Sequence, residues 1–110
     1  MVNTKNVTYA LVAVFLLSGI AKLAGLEFEV EAFQRWGYPD WFMTLSGAIE
    51  TAGALGLLIP RLNMLVAACL ALFMTGAVGT HIIHLELPMA CIASGIMLAA
   101  GWLAWEGLKN

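Results

Sequence analysis

The chain reads as an all-α membrane protein, a four-transmembrane-helix bundle with a short amphipathic surface helix between spans one and two. Three observations predict it. Of the 110 residues, 62% are hydrophobic and 11% are charged, whereas a soluble domain carries about 25% charged residues. A chain this short has too much surface for its volume to hide so many apolar side chains from water. The apolar residues also fall into four runs, at about residues 7–26, 41–59, 63–84 and 88–105, each near the ~20 residues that cross hydrocarbon. The only long connection lies between the first two runs. The sequence is read as one domain over 1–110.

Span one follows Lys5 and continues to Leu26. A charged start before an apolar run resembles a signal peptide, but this run is longer than an h-region and the rest of the chain is itself apolar, so it is expected to be retained. Ser18, Gly19, Lys22 and Gly25 share one face near its end. In the connection, Glu31 and Arg35 stand at pairing distance on a helix, and Phe28, Ala32, Phe33 and Trp36 form an apolar side. Gly37 and Pro39 stop that helix, which suits a membrane-surface position. Trp36, Tyr38 and Trp41 fall where an interfacial aromatic belt is expected.

Span two carries Ser46, Gly47, Glu50, Gly53 and Ala54 on a single small-residue face. An ionisable group near the centre of a membrane helix costs roughly 2.5–3.5 kcal/mol on insertion scales, so it is expected to face protein. Small neighbours let a second backbone approach it. Pro60 and Arg61 make a tight turn, so spans two and three are antiparallel neighbours. Span three places Met74, Ala77, His81 and His84 on one face. Pro88 suits the first turn of span four, and Trp102 and Trp105 anchor its far end.

Antiparallel threading puts Lys22 and His81 near one membrane face, with Glu50 roughly 13 Å deeper in the same half. A lysine stem reaches either inward to Glu50 or outward to the headgroups. Ser18, Lys22, Glu50, Met74 and His81 are therefore the candidate ligand-binding residues. Both histidines sit on one helix, which does not suit a haem held by two of them. A metal site from His81, His84 and Glu50 or Glu86 asks Glu50 to reach too far, so none is assigned. Cys69 and Cys91 are expected at depths more than about 10 Å apart, beyond the Cα separation of a disulfide, and are read as buried free thiols.

Ser18-Gly19-Ile20-Ala21-Lys22, Gly47-Ala48-Ile49-Glu50 and Met74-Thr75-Gly76-Ala77-Val78-Gly79-Thr80-His81 resemble, in order and spacing, the motifs of the DoxX-like membrane proteins. The resemblance spans nearly the whole chain. It implies a small four-helix integral membrane protein. The family takes its name from a quinone-linked thiosulfate oxidoreductase, and some relatives accompany membrane redox complexes.

The expected role is an accessory membrane protein that binds a quinone-like or lipid-like molecule, or a partner protein, near a Lys–Glu–His cluster. Two alternatives stay open: a quinone-linked oxidoreductase subunit, and a small transporter acting as a homo-oligomer. Whether the chain is an enzyme is left open, as is any cofactor beyond quinone. The net charge of −2 without a basic run argues against nucleic acid. Lys5, Arg61 and Lys109 on the terminal side against Lys22 and Arg35 on the other favour cytoplasmic termini in the plasma (inner) membrane.

Overall fold

The computed structural model describes residues 3–109. Among them are five helices and no strand: α1 Thr4–Ala24, α2 Glu27–Trp36, α3 Asp40–Leu57, α4 Asn63–Ile83 and α5 Leu87–Lys109. The molecule is 42 Å along its longest axis, about the thickness of a bilayer with its headgroups.

Local chemistry sets each boundary. The Asn3 side chain accepts from the Lys5 and Asn6 amides at 2.8 and 3.1 Å, satisfying donors that have no partner within the first turn. Gly25 ends α1 and Gly37 ends α2, both left-handed with φ of 67° and 82°, the conformation glycine adopts without steric cost. Pro39 leads into α3, and Pro60 lies in the turn before α4.

The α4–α5 link is different. Leu85, 81% exposed, takes the left-handed position with φ of 58°, where a glycine is usual. The Glu86 amide then donates back to the His81 carbonyl at 2.8 Å, folding Glu86 over the end of α4. Left-handed backbone costs a β-carbon-bearing residue roughly 1–2 kcal/mol. Leu85→Gly should therefore raise the denaturation temperature in detergent, and a lower temperature would mean that the leucine side chain contributes more than its backbone costs.

Helix α1 packs chiefly along α3, and α4 along α5. A β-carbon on Gly47 would lie 2.8 Å from Lys22 Cβ and 2.9 Å from the Gly19 carbonyl oxygen. The two small residues thus let α1 and α3 touch backbone to backbone. The pairs meet toward the end of the bundle where α1 starts and α5 ends. Leu11 and Phe15 of α1, Ala54 and Leu57 of α3, Ala67 and Leu70 of α4, and Ala100 and Leu103 of α5 form the apolar core there. At the other end α2 packs on α3 and α1 and is tied by Arg35 and Trp36 to Glu86 in the α4–α5 link.

Three helical stretches, Thr4–Leu23, Asn63–Ile83 and Leu87–Lys109, are long and apolar enough to cross a membrane. The sequence reading expected four. Helix α3 falls short because Asp40, Thr44, Ser46, Glu50 and Thr51, together with Gly47, Gly53 and Gly56, dilute its apolar content. Large apolar side chains face outward on the other three, among them Leu17, Leu72 and Leu98, at 73%, 73% and 67% exposure. Such a surface needs lipid around it. Cys69 and Cys91 are free thiols, as expected, but both are exposed rather than buried. The inward faces of α4 and α5 are taken by Ala67, Leu70, Ala90 and Ala93, which leaves the cysteines on the outward faces.

Candidate functional site

The gap between the helix pairs is a cavity of about 880 Å³ lined from all five helices, within the usual range for small-molecule sites. All five sequence-predicted residues, Ser18, Lys22, Glu50, Met74 and His81, line it. They do not form one cluster. The structure separates them into two polar groups, with Met74 on the apolar wall.

The first group joins α1, α2 and α3. Lys22 turns inward: its Nζ donates to Ser18 Oγ at 2.8 Å and pairs with Glu50 Oε1 at 3.1 Å and Glu29 Oε2 at 3.4 Å. Ser18 passes its own proton to Glu50 Oε1 at 2.9 Å. The i,i+4 spacing of Ser18 and Lys22 stacks them on one face of α1, and the Gly19–Gly47 contact brings Glu50 within reach. Glu50 is 5% exposed. A carboxylate so enclosed is tolerable only with partners like these.

The second group joins α2 to the α4–α5 link. Glu50 was expected to face Lys22 or His81; Lys22 takes that place, and His81 Nδ1 instead meets Glu86 Oε1 at 2.7 Å. Arg35 was expected to pair with Glu31; it donates through Nε and Nη2 to Glu86 Oε2 at 3.1 and 2.8 Å. The Trp36 indole donates to the same carboxylate at 3.1 Å. The cause is the left-handed turn at Leu85, which returns Glu86 to His81 across a break in the helix that helical spacing does not register. These donors, His81 foremost, hold the Glu86 carboxyl down to about 2, against 4.5 ordinarily. Nearby, Tyr38 and Thr80 hydroxyls lie 2.7 Å apart.

A pH dependence follows. Glu86 prefers its charged form more strongly in the folded protein than in the unfolded chain. Its stabilisation is complete above about pH 4.5 and is lost as pH falls toward about 2. Melting temperature should decline through this window, and less steeply in Glu86→Gln. Equal slopes for the two proteins would remove Glu86 from the acid response.

Phe33, Trp36, Tyr38 and Phe42 form an aromatic wall with ring centroids 5.1–6.3 Å apart. Phe33, Met74 and Ala93 are buried, and Ile49, Ile92 and Ile96 extend the apolar surface. The Glu86 group sits at the α2 end, whereas the Lys22–Ser18–Glu50 group runs inward along α1 and α3 to the depth of Met74 on α4. Among the described residues no three His, Cys, Asp or Glu side chains converge as metal ligands. Sequence reading missed Glu29, Trp36 and Tyr38 as lining residues. The signal for Trp36 was present, since it shares the apolar side of α2 with Phe28, Ala32 and Phe33, all of which line the cavity.

Outward-facing apolar helices around an amphipathic cavity define a small multi-pass helical membrane protein. Residues 6–104 match the DoxX-like family, and the chain belongs to that family. It is similar to the uncharacterized protein YdgD of Bacillus subtilis (strain 168), at 33% identity over 101 residues, covering 81% of this chain and 89% of the relative. No solved structure matches it.

Proposed function

We propose that this protein is an accessory membrane protein that binds a small amphiphile, quinone-like or lipid-like, between its two helix pairs. One observation carries the reading: a partly open, mostly apolar cavity between the helix pairs that holds two separate groups of charged and hydrogen-bonding side chains. The aromatic wall favours a ring over a plain acyl chain, because ring faces pack well against one another. In this reading all four long helices cross the plasma membrane, and both termini are cytoplasmic. Helix α3, too polar to face lipid on every side, is sheltered by α1 and α4. The ligand enters sideways from the bilayer, where amphiphiles are concentrated.

The test is a titration of protein in phosphatidylcholine nanodiscs with a short-chain benzoquinone and with a monoacylglycerol, followed by Trp36 fluorescence after Trp41, Trp102 and Trp105 are replaced by Phe. At least one should quench saturably, and Ala77→Phe, which narrows the cavity, should weaken the response. Failure of both to bind saturably, or an unchanged response in Ala77→Phe, would refute the reading.

A further inference from the structure

The hydrogen-bond ledger of the cavity is one-sided. An ammonium has three protons; Lys22 donates to Ser18 and Glu29 and is ion-paired with Glu50 at 3.1 Å. The Ser18 proton goes to Glu50. The Trp36 indole proton goes to Glu86. Thr80 Oγ1 donates to the Gly76 carbonyl at 2.9 Å, so in its short contact with Thr80 the proton comes from the Tyr38 hydroxyl. Arg35 engages Glu86 and leaves its side chain 57% exposed. The Ser46 hydroxyl, able to donate or accept, is the exception.

Two nearly buried acceptors are left over. Glu50 uses Oε1 for both of its partners, and among the described residues nothing donates to Oε2. Glu86 as a carboxylate only accepts, so His81 Nδ1 carries the proton in their contact. In the tautomer with its single proton on Nδ1, Nε2 is an acceptor, and it too has no donor among the described residues. Glu50 and His81 are 5% and 8% exposed. Three carboxylates, Glu29, Glu50 and Glu86, face two cations, Lys22 and Arg35. A ligand bringing negative charge would meet no uncommitted buried cation.

We infer that the cavity takes an uncharged phenolic amphiphile, a ring that donates hydroxyl protons to Glu50 and His81 and packs on the aromatic wall, and that it rejects carboxylate and phosphate heads. This rests on the amphiphile-binding reading and names its ligand class.

Three probes differing in the head alone decide it: 4-octylphenol, 4-octylanisole and 4-octylbenzoate, titrated at pH 7 into protein in phosphatidylcholine nanodiscs, with affinities expressed per mole fraction in the bilayer. Octylphenol should bind saturably. Octylanisole lacks the proton and leaves buried acceptors unpaired, so it should bind about tenfold more weakly or worse. Octylbenzoate should bind weakest. In Glu50→Gln the octylbenzoate affinity should rise about tenfold, since Lys22 loses one of its two carboxylates. Octylanisole or octylbenzoate binding as tightly as octylphenol would overturn the inference while leaving amphiphile binding intact. Saturable binding by none of the three would overturn both.

Discussion

Glu50→Gln should destabilise the protein in detergent, and adding Lys22→Met should restore much of the loss. Removing one partner of a buried ionic pair costs about 3–5 kcal/mol, because the other charge is left without compensation, whereas removing both is often near neutral. The pair here is buried on both sides, with side-chain exposures of 12% for Lys22 and 7% for Glu50. Lys22→Met alone should be comparably costly, since it leaves Glu50 with Ser18 only. Thermal unfolding of the two single variants and the double variant forms a complete cycle. Losses that simply add would mean that Lys22 and Glu50 do not act on each other. If the double variant regains stability yet loses ligand binding, the cluster serves the site as well as the fold.

Gly19→Ala should be nearly as damaging, although it adds only a methyl group. The new β-carbon would lie 2.8 Å from the Thr51 backbone nitrogen and 2.9 Å from the Gly47 carbonyl oxygen. Neither is a side chain that can rotate away, so α1 and α3 must separate along their length. Overpacking of this kind costs about 1–3 kcal/mol or more. Parting the helices also lengthens the Lys22–Glu50 contact. Gly101→Ala is the control: nothing lies within 4 Å of its β-carbon position, and exchanging a helical glycine for alanine gains up to about 1 kcal/mol. Matching melting temperatures for Gly19→Ala and the parent would mean that the helices are less closely apposed than described.

The apolar runs and their stops made the helices legible. Gly25, Gly37 and Pro60 mark boundaries by backbone chemistry that needs no tertiary context. The small face around Glu50 correctly pointed to a close helix neighbour, and antiparallel threading brought Lys22 to it. Two things were hidden. The His81–Glu86 contact depends on a left-handed leucine, which no pattern of helical spacing announces. The pairing of Arg35 with Glu86 rather than Glu31 depends on where α2 lies relative to the α4–α5 link, a matter of tertiary packing. The cysteines were misplaced for a related reason: in a membrane protein the outward face is apolar too, so hydrophobic neighbours do not identify the interior.

The polarity of α3 bears on how the chain is made. Helix α1 emerges from the ribosome first and is apolar enough to partition by itself. Helix α3 is not, and translation at roughly 5–20 residues per second separates the two by a few seconds. In the four-span arrangement α1 has to stay near the insertion site until Glu50 arrives to meet Lys22. On the four-span proposal the two helices enter lipid together, with Lys22 paired to Glu50 and Gly19 against Gly47. Lys22 on this view is an intramolecular escort: it conducts its neighbour's carboxylate into the bilayer during synthesis, before there is a cavity to line.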